Sequence, residues 1–445
     1  MTQTPAPLTN ARIFRFWSPL AATWLLMAVE GPLLAAVIAR MADANVNLAA
    51  YGVAYAFGLL AEAPVIMLLG ATTALCRSHA SYLQLRRFAL LISAAVTLLL
   101  VILVLPPVFT LLGETLLGLS PELAGQSRLA LMALLPWPAA IGLRRFYQGV
   151  MIRTGQTHRV AVGTVTRMLG MAATGLGGAW LGIWPGATVG MLALSAGVTV
   201  EALVSRRLAR PAIRRLRHEA GETETEAAAA ALDLRAIWRY YLPLALTPFI
   251  GLSVQPLVTF FLSHGVAPLE SLAALPVVCG ITFVFRALGL SYQEAAIALV
   301  GDRFEGRARA GKFALVLAAV CTILLGVIAL TPCADFWLQS LAGLTPELAD
   351  ISRLPLILMV PLPALTVWLT WQRSLLVLAR ETGAVSTATA VELVAVALVM
   401  ALLIKWVPLA GITLAAVAML AGRLLGIVYL IPRCRAVVRR CEEAG

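Results

Sequence analysis

The chain has 445 residues, of which 60% are hydrophobic and only 13% charged, and it carries a net charge of +12. A soluble domain carries about a quarter charged residues, so this composition excludes an ordinary soluble protein and points to a chain that crosses a membrane many times. The basic excess would suit nucleic acid, but its placement along the chain makes it a topology signal, and no nucleic-acid partner is expected.

The opening MTQTPAPLTNARIFRF leads into an apolar run too long for a signal-peptide core, so no cleaved leader is expected. Apolar spans are predicted at 14–39, 48–75, 88–112, 127–149, 159–181, 183–205, 237–263, 271–298, 312–334, 350–376, 384–404 and 409–431. Twelve spans return both ends of the chain to one side. Of the 34 Lys and Arg, 27 fall at the termini and in the loops on that side, including Arg77, Arg86, Arg87, Arg144, Arg145, Arg153 and Arg159. The opposite loops hold Arg40, Arg128, Arg353 and Lys405, and Arg167, Arg286 and Arg423 lie inside spans. The bias places both termini in the cytoplasm, which predicts a multi-pass protein of the plasma membrane, the inner membrane of a bacterium. Trp17, Trp180, Trp184, Trp238 and Trp406 fall near span ends, as an aromatic belt would have them. The cysteines show no metal-ligand spacing and the histidines are scattered, so no metal site is expected. No P-loop, HExxH or GxSxG stretch points to an enzyme, and no cofactor is expected.

An internal repeat halves the chain. GLSPELAGQSRLALM (118–132) and GLTPELADISRLPLI (343–357) share ten of fifteen residues at an offset of 225. SPLAAT (18–23) pairs with LPLALT (242–247), GPLLAAVIAR (31–40) with QPLVTFFLSH (255–264), and NLAAYGVA (47–54) with SLAALPVV (271–278), at an offset of 224. Two matches at nearly one offset mark a duplication of six spans each. An even number of spans per half makes the repeats parallel. The predicted fold is therefore all-α, with twelve transmembrane helices in two parallel six-helix repeats and a central cleft. The predicted divisions are an amino-terminal lobe at 1–205, a basic-then-acidic cytoplasmic linker at 206–235, and a carboxy-terminal lobe at 236–445.

The opening of each half has a proline early in its first span (Pro19, Pro243), a mid-span proline (Pro32, Pro256) and a small-residue start to the second span (LAAYG at 48–52). FYQGVMIRTGQTHR (146–159) joins the fourth and fifth spans with a glutamine-glycine and glycine-polar-threonine pattern. In these features, over almost the whole chain, the sequence resembles the multidrug/oligosaccharidyl-lipid/polysaccharide exporter superfamily, and within it the multidrug and toxic compound extrusion family. PLAATWLLMAVEGPLL, LAAYGVAYA and QPLVTFFLSH look like the progressive ankylosis branch, which exports organic anions and phosphate compounds. The resemblance implies a monomeric secondary exporter of small organic solutes working by alternating access in the lipid bilayer, of the proton-coupled toxic-compound type. An organic-anion or phosphate-compound exporter, a lipid-linked sugar flippase and a non-transporting scaffold stay open as alternatives.

Ionisable groups inside spans are expensive and face a cavity or a partner. Glu30 (span 1) and Glu62 (span 2) are the candidate cation-coupling residues: a carboxylate in a low-dielectric cavity takes and releases a proton near neutral pH. An acid in the first span is also what the resemblance associates with coupling. Pro32 beside Glu30 removes a backbone donor and lets the helix bend there. Some sodium-coupled members of the family this chain resembles use acids in the seventh and tenth spans. Here the seventh offers Gln255, and no carboxylate lies between Ser352 and Trp371. The expected driving ion is therefore a proton, with sodium still open.

Arg286, the repeat mate of Glu62, can grip a carboxylate or phosphate bidentately. With Gln255, Gln293, Trp24, Trp137 and Trp368 it forms the predicted substrate path. The alternative for Arg286 is a static counter-ion to Glu30 or Glu62. Arg167 and Glu392 are expected to pair with each other as an inner gate, or to snorkel. Arg423 and Glu294 are read as snorkelling. Pro32, Pro256, Pro136 and Pro361 are the candidate hinges.

Overall fold

The computed structural model describes residues 8–154, 156, 158–223, 233–301, 304–379 and 381–443. Apart from an isolated bridge between Val266 and Ala410, the regular structure among these residues is helical. Twelve helices follow the expected spans. They are α1 (Asn10–Ile38), α2 (Ala44–Leu75), α3 (His79–Leu103), α4 (Pro121–Arg153), α5 (His158–Leu181), α6 (Gly186–Leu208), α7 (Leu234–Ser263), α8 (Pro268–Leu299), α9 (Arg307–Leu330), α10 (Pro346–Leu358 continued by Leu362–Leu378), α11 (Thr382–Trp406) and α12 (Gly411–Glu443). Ten are long and apolar enough to cross a bilayer, and α10, bent by 41°, makes an eleventh. The remaining one, α5, is rich in glycine and threonine and packs along the whole of α6.

The start of the predicted linker is a helix, Arg210–Thr223, seated on α3, α4 and α6 through Ala212 and Leu216. The rest of the linker, residues 224–232, lies outside the described residues.

The helices form two compact units, residues 37–264 and residues 1–36 with 265–445. These packing units differ from the repeat halves. The amino unit holds α2 to α7, and the carboxy unit holds α8 to α12 together with nearly all of α1. Each unit thus takes the first helix of the other repeat, and each does so through an aromatic side chain with a polar tip. In the carboxy unit Trp17 is buried, its Nε1 donates to Ser291 Oγ at 2.9 Å, and its ring meets Phe313 edge-on. In the amino unit the Tyr241 hydroxyl donates to the Pro64 carbonyl, and its ring meets Phe88 edge-on. A buried indole or phenol keeps its packing energy only if its donor is satisfied, and these two acceptors satisfy it. Trp17 therefore leaves the predicted aromatic belt for the core, whereas Trp180, Trp184, Trp238 and Trp406 are exposed.

The duplication reaches fine detail. A π-helical turn at Leu111–Leu116 returns at Phe336–Leu341. Left-handed Gly118 returns as Gly343. The Ser120 hydroxyl that caps α4 by accepting from Leu123 N returns as Thr345 accepting from Leu348 N. Pro136 and Pro361 stand at the breaks inside α4 and α10. Pro256 lies just past the break of α7 at Ser253, and α1 runs unbroken through Pro32.

Two glycines let the fifth and sixth helices of each repeat close on one another. A Cβ on Gly197 would lie 2.9 Å from the carbonyl oxygen of Arg167, and one on Gly422 would lie 2.9 Å from that of Glu392. Backbone cannot swing aside as a flexible side chain can. Gly197→Ala and Gly422→Ala should therefore each cost about 1–3 kcal/mol, the usual range for overpacking. Gly177→Ala, with open space around it, is the control. Denaturant melts in detergent that left all three variants alike would contradict the close approach.

Candidate intramembrane charge clusters

In the amino unit one carboxylate gathers three helices. Glu201 on α6 is fully buried. Its Oε2 receives Arg144 Nη1 from α4 at 2.8 Å, and Gln148 Nε2, one turn further along α4, donates to Oε1 at 3.0 Å. Arg167 Nη1 on α5 stands 3.8 Å from Oε2, too far for a hydrogen bond but close enough for strong attraction in this setting. The spacing of Arg144 and Gln148 puts both on one face of α4. Gly163 on α5 faces Glu201, and a Cβ there would lie in ordinary contact, 3.6 Å from Oε1. Arg145 stands at the edge of this cluster, within electrostatic reach of Glu62, Glu201, Arg144 and Arg167.

In the carboxy unit the same helix pair carries the charges the other way round. Glu392 on α11 accepts from Arg423 Nη2 on α12 at 2.9 Å. By the repeat offset Glu392 stands where α5 has Arg167, so the fifth helix supplies the cation in one repeat and the anion in the other. Arg373 on α10 occupies the position equivalent to Gln148 and donates from Nη2 to Thr389 Oγ1 at 3.0 Å. Arg286 on α8 donates from Nε to Thr366 Oγ1 at 3.3 Å. Glu392 and Arg423 act electrostatically on both Arg286 and Arg373. Two guanidiniums here thus hold neutral hydroxyls where the amino unit offers Arg144 and Arg167 a carboxylate.

The predicted site residues divide between the units. Glu30, Trp24, Arg286, Gln293, Trp368, Glu392, Pro32 and Pro361 belong to the carboxy unit. Glu62, Gln255, Trp137, Arg167, Pro256 and Pro136 belong to the amino unit. Glu30 is buried at 4% exposure. Two residues on, Pro32 packs against Gly280 of α8, where a Cβ would meet the proline ring at 3.3 Å. Glu62 is buried on α2. Gln255, Gln293, Trp24 and Trp368 are half-buried. Trp137 is buried against Gly58 and beside Tyr55, which makes it part of the amino unit's packing.

Arg167 and Glu392, expected to meet each other, are each engaged within their own unit, by Glu201 and Arg423 respectively. Arg423, expected to snorkel, is in a buried pair. Sequence reasoning missed Glu201 and placed Arg144, Arg145 and Arg373 in the basic loops. The available signal was position: all four fall inside predicted spans, at 183–205, 127–149 and 350–376. Among the described residues no three His, Cys, Asp or Glu gather as a metal would need.

Breaking a buried pair by removing one partner costs about 3–5 kcal/mol, because the other charge is left uncompensated. Glu201→Gln, which takes the carboxylate away from Arg144, should lower stability by about that amount. Gln148→Ala, which removes a neutral donor, should cost about 0.5–1.5 kcal/mol. Equal losses in the two variants, read from denaturant melts in detergent, would show that Glu201 is not the organising charge.

No protein-family model and no curated protein matches the sequence. Solved structures do. A multidrug-resistance MATE family transporter of the MOP superfamily, in an inward-facing conformation, matches with TM-score 0.70 at 14% identity, over 95% of this chain and 96% of that one. A MOP superfamily transporter from Pyrococcus furiosus, described as having a binding pocket of reversed polarity, matches with TM-score 0.64 at 14% identity, over 97% and 96%. The lipid II flippase MurJ, in an inward closed conformation, matches with TM-score 0.64 at 14% identity, over 96% and 90%. Identity this low shows the fold alone: a multi-pass membrane protein with the architecture of MOP superfamily transporters.

Proposed function

We propose that the chain is a secondary transporter that exports a small organic anion by alternating access, with Arg286 as its anchor. The observation that carries this reading is the carboxy unit's charge arrangement. Arg286 and Arg373 are held by Thr366 and Thr389 rather than by carboxylates, and Glu392 is already occupied by Arg423. A guanidinium inside a membrane protein whose hydrogen bond goes to a hydroxyl keeps further donors available for an oxyanion. Glu30, buried on α1 of the same unit, supports the second reading, in which a proton on that carboxylate drives export of cationic compounds. The exporter works as a monomer in the inner membrane of a bacterium with both termini in the cytoplasm.

Proteoliposomes with a pH-sensitive dye inside separate the two readings. Citrate and nucleotides should drive a flux that falls at least about 30-fold in Arg286→Gln, the equivalent of about 2 kcal/mol for a buried charge partner, and survives in Glu30→Gln. Proton flux driven by cationic drugs and abolished in Glu30→Gln would establish the proton-coupled reading instead.

Orientation has its own test. Cys333 is exposed between α9 and α10, on the side predicted to face outward. Cys76 is buried between α2 and α3, and burial pushes its thiol up to about 11, so little thiolate forms at neutral pH. A membrane-impermeant maleimide added to intact cells should label the protein, and Cys333→Ser should abolish that labelling. Labelling that survives Cys333→Ser would reverse the assigned orientation.

A further inference from the structure

We propose that Arg145 forms a second oxyanion site, inside the amino unit, for a phosphate or carboxylate group. Arg145 lies on α4 next in sequence to Arg144, and the helical step of about 100° per residue turns it away from Glu201. The consequences differ sharply. Arg144 is 3% exposed and its Nη1 is consumed by Glu201. Arg145 is half-buried, and although the Nε of each arginine is enclosed without an acceptor, only Arg145 has a side chain that makes no hydrogen bond or ion pair among the described residues.

The carboxylates nearby do not fill this need. Glu201 is saturated by Arg144 and Gln148, with Arg167 alongside. Glu62 on α2 acts on Arg145 electrostatically but is not in ion-pair contact with it. A buried guanidinium is normally paired or hydrogen-bonded, because an unmet charged donor costs several kcal/mol. Here a planar fork of donors is left open at a partly accessible position, with only longer-range neutralisation. Two parallel N–H groups match two oxygens of a carboxylate or phosphate. Glu62, while ionised, opposes an incoming anion, so its neutralisation should strengthen binding. The site extends the anionic-substrate reading to the other unit, and it does not depend on Arg286.

The purified full-length chain in detergent can be treated with p-hydroxyphenylglyoxal, an arginine reagent, and mapped by peptide mass spectrometry with and without inorganic phosphate. Arg145 should be modified and Arg144 should not. Phosphate should slow the modification of Arg145 saturably. In Glu62→Gln half-protection should come at several-fold lower phosphate, and in Arg286→Gln protection of Arg145 should persist even where transport is lost. An Arg145 that resists the reagent, or one modified at a rate indifferent to phosphate, overturns the proposal and leaves the Arg286 reading to stand or fall on its own flux measurement. Protection that disappears in Arg286→Gln overturns it as well, by making the effect secondary to the other site.

Discussion

The carboxylate of Glu201 is the constraint from which the amino unit is built. A bare charge in an apolar interior is costly, and three groups on two other helices remove that cost by converging on its two oxygens. The convergence demands that α4, α5 and α6 meet at one depth. It also demands a glycine where α5 and α6 meet: Gly197 leaves room for the backbone of α5. Pairs this buried contribute through specificity more than through net stability. Hydrophobic residues would pack as well, but they would not fix which turn of one helix faces which turn of the next.

The carboxy unit uses the same scaffold with the polarity inverted. Gly422 faces the Glu392 carbonyl as Gly197 faces that of Arg167, so the backbone relation is kept. Arginine on the fifth helix has become glutamate, and the sixth helix now supplies arginine, one residue beyond the glycine. The position of Gln148, a satisfied neutral donor, has become Arg373. A duplicated fold thus carries a cluster organised around an acid in one unit and a cluster with two guanidiniums held by hydroxyls in the other. That asymmetry, laid on a symmetric frame, is the reason for looking to anions as cargo.

The exchange of first helices decides which groups travel together. Trp17 ties α1 to α8, and Tyr241 ties α7 to α2. Glu30 therefore belongs to the unit that holds Arg286, and Gln255 to the unit that holds Glu62. Glu30 and Glu62, the two cation-coupling candidates of the sequence, belong to different units. Glu392 and Arg423, which act electrostatically on Arg286, lie in the same unit as Arg286.

By itself the sequence determined the twelve helices, the duplication and the parallel sense of the repeats. Those properties follow from the length of apolar runs and from a nearly constant offset between matched stretches, both of which are local or additive along the chain. It also marked Glu30 and Glu62, which are buried. Tertiary structure alone decided the partners. Arg144 and Arg145 are adjacent in sequence, and one is consumed in an ion pair while the other is left open, because a single residue step turns a side chain through about 100° on a helix. Arg167 and Glu392 occupy equivalent positions, yet each is neutralised by a residue that has no counterpart in the other repeat. Which charges neutralise one another depends on how helices distant in sequence are rotated and spaced, and no pattern of hydrophobicity or repeat records that.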